Sequence, residues 1–277
     1  MTFTSWSGFS RGLPWLPSEE DAARLAVRCR SPFLQNISLL VMHRAGDRAS
    51  AGRVAPGNPL SNRNQAQLRA WFAEAPLYAI LDTSLLGKAS SLEVLEALLR
   101  AGVKVIQYRH KGQFRRANFE ECSRLAQKAA EGGGALLVND RADIADLSGA
   151  AGVHLGQDDL PVEWARELLG PARYIGYSSH NLEQARLAET SSADYIAIGP
   201  VFATSTKKNP EPVVGLETVA QVRSVVTKPL VAIGGITLEN AVAVLKAGAD
   251  AVAVIRGLLE APDVEARARQ FLSALKT

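Results

Sequence analysis

The sequence predicts an α/β protein, a (β/α)8 TIM barrel behind an N-terminal extension, on three observations. From residue 77 onward, eight short apolar runs alternate with eight stretches of helical character. The runs are continuously apolar rather than alternating, as parallel strands covered on both faces must be. The runs also end in polar residues, and in a barrel all strand C-termini meet on one face. Roughly 200 residues in eight strand–helix units is the size of that fold. A doubly wound sheet is the nearest alternative, but it does not need polar residues at every strand end.

The elements follow in order. Asn64 to Ala75, with Leu68, Trp71 and Phe72 on one face, reads as a helix leading into the barrel. Leu77–Leu81 is the first strand. Ser90 and Glu93 have the spacing of a capping box, so a helix opens there. Leu92, Leu95, Leu98 and Leu99 give it an apolar face, and Gly102 ends it. Val103–Ile106 is the second strand, followed by a helix over about 115–131 that closes at Gly132-Gly133-Gly134. Leu136–Val138 is the third, with a short helix after Arg141. Val153–Leu155 is the fourth, and Pro161 starts the next helix where proline is favoured. Tyr174–Tyr177 is the fifth strand, with a helix from about Asn181. Tyr195–Ile198 is the sixth, followed by a long polar loop to about Gly215 and a helix. Leu230–Ile233 is the seventh, with Thr237 as cap of its helix. Ala251–Ile255 is the eighth, and a last helix starts near Val264.

Composition narrows the class of function. The chain has 277 residues, enough for one large domain or two small ones, and is 47% hydrophobic. A net charge of +3 over this length, with no basic cluster, argues against a nucleic-acid partner. The two cysteines, Cys29 and Cys122, have no metal-ligand spacing and fit a reducing cytoplasm. No apolar run approaches the roughly 18 residues needed to span a bilayer. The start lacks a basic segment followed by a long apolar one, so no signal peptide is expected.

Residues 1–63 read as an extension, poorly ordered and distinct from a catalytic barrel over 64–277. The first 76 residues hold nine arginines and no lysine, and the first lysine is Lys88. Residues 44–64 are rich in Gly, Ala, Pro, Asn and Arg, which reads as loop. Residues 18–28 suit a short helix, and Ile37–Met42 is an apolar run of undecided character. No chemistry is visible in this segment.

The candidate chemistry sits where the strands stop. Gln107, Arg109 and Lys111 follow strand two, and their alternation puts them on one face if the strand continues. Asn139, Asp140 and Arg141 follow strand three. Gln157, Asp158 and Asp159 follow strand four. Ser178, Ser179 and His180 follow strand five. Thr204, Ser205, Thr206, Lys207 and Lys208 follow strand six, offering hydroxyls and ammonium groups suited to phosphate oxygens. Gly234-Gly235 follows strand seven and Arg256-Gly257 strand eight, where barrels often bind phosphate. Taken singly, Asp140 and Asp159 are equally well read as helix N-caps. Placed on neighbouring strand ends of a barrel, they suit a shared Mg²⁺, which commonly bridges carboxylates to a diphosphate. His154 lies inside a strand and reads as a packed core histidine, and His180 as a cap or proton carrier. The residues thus describe two anion sites with a metal between carboxylates. That suggests displacement of a Mg²⁺-bound diphosphate by a second, phosphorylated substrate.

Six segments, in order, resemble the thiamine phosphate synthase family: Gln107-Tyr108-Arg109-His110-Lys111, Asn139-Asp140-Arg141, Gly152 to Asp159, Gly176-Tyr177-Ser178-Ser179-His180, Gly199 to Lys207, and Gly234-Gly235-Ile236. The resemblance covers about residues 64–275. It implies joining of a hydroxymethylpyrimidine diphosphate to a thiazole phosphate, giving thiamine phosphate and diphosphate, through a pyrimidine cation stabilised by its own amino group. It implies that Gln107, Arg109, Lys111 and Asn139 hold the pyrimidine diphosphate and that Asp140 and Asp159 ligate Mg²⁺. Ser178 would lie beside the reacting pyrimidine and Lys207 on the diphosphate. Thr204 and Thr206 would hold the thiazole phosphate, with backbone from Gly235 and the Ile255-Arg256 turn. The family usually has serine at the position of Arg256. A thiazole tautomerase-like paralogue shares the barrel and a histidine like His180, but has no need of Asp140, Asp159 and Lys207. Those residues also argue against a non-catalytic barrel that merely binds a phosphate ligand. A phosphosugar isomerase or epimerase would want an acid–base pair inside the barrel instead.

Overall fold

A computed structural model describes residues 59–204 and 211–276. The predicted helix over 18–28 and the run Ile37–Met42 lie outside these residues, as do Cys29, Ser205, Thr206, Lys207 and Lys208. The elements are α1 (Pro59–Glu74), β1 (Leu77–Asp82), α2 (Ser91–Ala101), β2 (Val105–Arg109), α3 (Arg116–Glu131), β3 (Ala135–Asn139), α4 (Ala142–Ser148), β4 (Gly152–Leu155), α5 (Val162–Leu169), β5 (Tyr174–Ser179), α6 (Leu182–Thr190), β6 (Tyr195–Ile198), α7 (Gly215–Val225), β7 (Leu230–Ile233), α8 (Ala241–Lys246), β8 (Ala251–Val254), α9 (Arg256–Leu259) and α10 (Val264–Leu275). The strands pair in parallel, in sequence order, and β8 returns to β1 to close a (β/α)8 barrel. Among the described residues no helix is long and apolar enough to cross a membrane.

Two apolar clusters follow from the alternation of side chains along each strand. One lies between strands and helices and includes Leu81, Leu95, Leu98, Ile106, Leu136, Val153 and Phe271. The other fills the barrel: Tyr78, Ile80, Val105, Leu137, Tyr195, Val231 and Ala253, with Leu68 and Phe72 of α1 beneath. The helix expected from Asn64 therefore stoppers the barrel floor. It begins already at Pro59, because the polar run Ser61–Gln65 carries no apolar period to signal it.

The α2 capping box forms as its spacing requires. The Glu93 amide donates to Ser90 Oγ at 3.2 Å, and the Ser90 amide donates to Glu93 Oε2 at 2.8 Å. Gly102 ends the helix at φ 101°. The buried face runs through Val94, Leu95, Leu98 and Ala101, whereas Leu92, expected on it, is exposed. Pro161 is the N-cap of α5 rather than its first residue. Thr237 does not cap α8. That helix starts a turn later, and the Asn240 side chain accepts from the Thr237 amide while donating to the Gly235 carbonyl.

Candidate active site

The C-terminal rim gathers the described strand-end residues. Its centre is the turn after β3. Asp140 is the one non-glycine residue with positive φ among the described residues, at 64°. Aspartate tolerates this left-handed conformation better than most residues. The Asp140 amide donates to the His154 carbonyl at 2.8 Å, which pins the turn to β4. Neither Asp140 nor Asp159 caps a helix: α4 starts after Arg141 and α5 after Pro161, neither with a side-chain cap bond. Asp159 instead folds back, with Oδ2 accepting from the Gly156 amide at 2.7 Å. Burial raises the Asp159 pKa, and the neighbouring Asp140 carboxylate adds to that against the Gly156 amide. The two carboxyls therefore face each other.

A divalent cation fits this pair, and like charges held together this way are relieved by one. Among the described residues, no cluster of three or more His, Cys, Asp or Glu side chains is arranged for a metal. An ion here would rest on two carboxylates and complete its shell with water and phosphate oxygens, the habit of Mg²⁺. Lys111 Nζ lies 2.5 Å from Asp140 Oδ2 and supplies countercharge.

The groups expected to grip the pyrimidine diphosphate are held by different means. Arg109 ends β2 and pairs with Asp82 at the end of β1. Burial would raise the Asp82 carboxyl, but the Ser84 hydroxyl and amide together with Arg109 outweigh it and hold the pKa below its ordinary value. Gln107 points into the barrel and donates to Tyr78 Oη at 2.9 Å. Lys111 lies beyond the strand, so the shared face ends at Arg109. The Asn139 side-chain nitrogen is buried and has no hydrogen-bond partner among the described residues. A buried donor left open costs about 1–3 kcal/mol, so this amide is poised for an acceptor that arrives from outside. Arg141, beside it, forks onto Asp143 and covers the Phe114 ring, a structural role.

Ser178 sits near the end of β5. Its carbonyl accepts from Gln157 Nε2 at 2.5 Å, and its hydroxyl lies 2.9 Å from His154 Nε2. His180 Nδ1 lies 2.6 Å from the Gly199 carbonyl, and Asn181 rather than His180 caps α6.

On the opposite arc, backbone does the positioning. The Val201 and Phe202 amides donate to the Ile233 and Gly234 carbonyls, zipping the loop after β6 to the turn after β7. Gly235 has φ 63°, and a Cβ there would lie 2.4 Å from the Ala203 carbonyl oxygen, so only glycine fits. This brings Gly235 beside the segment leading to Thr204. Ile255 caps the four-residue α9, and Arg256 pairs with Glu260 along it. Thr206 and Lys207 lie outside the described residues.

A family model described as thiamine monophosphate synthase matches residues 77–258, more than half of the chain. The chain belongs to this family. A thiamine-phosphate synthase of Koribacter versatilis (strain Ellin345) is 47% identical over 203 residues, covering 72% of this chain and 95% of the relative. One from Pelotomaculum thermopropionicum is 43% identical over 196 residues, covering 71% and 90%. The solved thiamine phosphate pyrophosphorylase of Pyrococcus furiosus is 36% identical, with TM-score 0.67, over 74% of this chain and 96% of that one. A 3-hexulose-6-phosphate synthase, 16% identical with TM-score 0.54, shares the barrel alone.

Three residues of this end and of the interior below it carry no mark in the local sequence pattern strong enough to single them out. Asp82 ends the run Leu77–Leu81 as a polar stop of the kind sought elsewhere. Tyr78 and Tyr195 sit inside apolar runs and gave no signal.

Proposed function

We propose that this member of the family forms thiamine phosphate from 4-amino-5-hydroxymethyl-2-methylpyrimidine diphosphate and a thiazole phosphate, with Mg²⁺ held by Asp140 and Asp159. The observation that carries the reading is that facing carboxylate pair, with the adjacent Asn139 amide nitrogen unpartnered among the described residues. The bond between the pyrimidine methylene carbon and the diphosphate oxygen breaks, and its electron pair leaves with the diphosphate. The thiazole nitrogen then gives its lone pair to the same carbon. No proton changes hands.

In this reading Mg²⁺ supplies charge neutralisation of the leaving diphosphate. Asn139 donates to the incoming substrate, and Lys111, drawn off Asp140 once a cation is present, turns to the diphosphate with Lys207. Gln107 and Ser178 border the pyrimidine, and Arg109, held by Asp82, presents a fixed cation. Thr204, Thr206, the Gly235 backbone and the Ile255-Arg256 turn take the thiazole phosphate. The work of the protein is positioning and electrostatic stabilisation rather than acid–base chemistry.

The test is an assay of the folded, purified chain with both substrates, with Mg²⁺ or with a chelator. Thiamine phosphate and diphosphate should appear in equal amounts, and only with the metal. Absence of product with Mg²⁺ present would overturn the reading.

A further inference from the structure

A chain of hydrogen bonds crosses the barrel interior from Gln107 to Ser178. Gln107 Nε2 donates to Tyr78 Oη at 2.9 Å. Tyr78 Oη lies 2.9 Å from Tyr195 Oη, and Tyr195 Oη lies 2.8 Å from His154 Nδ1. His154 Nε2 lies 2.9 Å from Ser178 Oγ. Tyr78 and Tyr195 are fully buried, and burial pushes the Tyr78 hydroxyl up to about 12 and the Tyr195 hydroxyl well above its ordinary value, so both keep their protons.

The register shows how this is built. His154 of β4 is level with Gly176 of β5, and Gly176 with Tyr195 of β6. A Cβ on Gly176 would fall 2.0 Å from Tyr195 Cζ. The missing side chain is thus the space through which the tyrosine ring crosses β5 to reach the histidine. Their rings stack at 5.6 Å and 29°.

Counting protons gives the chain a direction. Gln107 already donates to Tyr78, so the Tyr78 hydrogen is satisfied only by donating to Tyr195. Tyr195 then donates to His154 Nδ1, which must be bare. The one proton of a neutral imidazole is left on Nε2 and goes to Ser178 Oγ. With the opposite direction, Gln107 and Tyr195 would both donate to Tyr78 and leave its buried hydrogen without an acceptor in the chain. We infer that Tyr195, seated over Gly176, is a positioning residue that holds His154 as the Nε2–H tautomer and thereby aims the Ser178 hydroxyl hydrogen at an acceptor atom of the pyrimidine diphosphate. This rests on the proposed function only for the identity of that acceptor.

The experiment is ¹⁵N NMR of the full chain labelled at its histidines, with the His154 signals assigned by their loss in His154→Gln. In the wild type, His154 Nδ1 should resonate as a bare nitrogen and Nε2 as a protonated one. A protonated Nδ1 would overturn the inference. In Tyr195→Phe the two nitrogens should move toward a mixture of tautomers. kcat should fall about 10-fold, the low end for loss of an outer-shell partner, while KM for the thiazole phosphate stays unchanged. An unmoved spectrum with full kcat would also overturn it. If Tyr195→Phe does not fold, Tyr78→Phe replaces it. With the upstream donor removed, the Nδ1 signal should show partial protonation, and its staying as in the wild type counts against the chain. The spectra need no turnover, so a bare Nδ1 in a protein that makes no thiamine phosphate would refute the proposed reaction and leave the tautomer standing.

Discussion

At the N-terminal end of the barrel, Arg166 and Asp194 form an ion pair that is almost wholly buried, and at the C-terminal end Asp140 faces Asp159. Both oxygens of Asp194 and both terminal nitrogens of Arg166 in the first arrangement are engaged. Asp194 accepts from Arg166 at 2.6 Å, from the Ile175 amide at 2.8 Å and from Asn64 of α1 at 3.3 Å. Arg166 also donates to the carbonyls of Gly170, Arg173 and Ser192. The second arrangement holds two like charges together beside an amide with no acceptor among the described residues. One end spends its polar groups on stability, and the other leaves them for a ligand. In a (β/α)8 barrel that division follows from the topology, because the active site forms where the strand C-termini meet.

The widest separation between the two ends should come from Asp140→Asn. Asparagine keeps the left-handed backbone at φ 64° but removes the charge. Mg²⁺-dependent turnover should fall by on the order of 10²-fold or more, since loss of metal charge stabilisation removes several kcal/mol. Thermal stability should change little, because the repulsion from Asp159 and the part-exposed ion pair with Lys111 are lost together. The mirror experiment is Asp194→Ala. Removing one partner of a buried pair leaves an uncompensated charge and costs about 3–5 kcal/mol. Denaturant unfolding should show that loss, while kcat of the folded fraction stays as in the wild type. Should Asp194→Ala depress kcat without destabilising the chain, the division between the ends would fail.

Asp82 and Arg109 blur the division, because they form a satisfied pair at the ligand end. The folded pKa of Asp82 is lowered, so its contribution is complete above the unfolded value near 3.8 and is lost as pH falls through the lower folded value. Asp82→Asn should therefore be less stable than the wild type at neutral pH, by about 1–3 kcal/mol. The two stability curves should converge below about pH 3.8. KM for the pyrimidine diphosphate should rise as well, because the Arg109 guanidinium loses its anchor. A constant gap across the acid range would remove the ion pair as its cause.

Much of the ligand end was legible because it is made of residue types that have no reason to follow an apolar run. Asn139-Asp140 and Gly234-Gly235 stand out on those grounds alone. The Ser90–Glu93 box and the Gly102 stop were legible because they depend on neighbours three to twelve positions away. What could not be read was lateral. His154 looks like a packed core histidine, and it does sit in the interior. Its partners arrive through the β4–β5–β6 register and a gap at Gly176, neither of which leaves a trace in local pattern. The Asn64 contact with Asp194 was hidden for the same reason, since 130 positions separate them in sequence. Leu92 was misplaced by counting leucines rather than following the helical period through Val94 and Ala101.

The smallest expected effect concerns Arg256. The side chain is engaged with Glu260 one turn along α9, and both are substantially exposed. An exposed pair four residues apart in a helix contributes only about 0.3–0.5 kcal/mol. In the proposed reaction the thiazole phosphate takes the backbone of the Ile255-Arg256 turn, which arginine and serine supply alike. Arg256→Ser should therefore shift KM for the thiazole phosphate by less than about threefold, the equivalent of roughly 0.7 kcal/mol, with stability nearly unchanged. A tenfold rise in that KM would mean that the guanidinium leaves Glu260 and closes on the phosphate when substrate arrives. The ligand end would then own a charged clamp in addition to its backbone cradle.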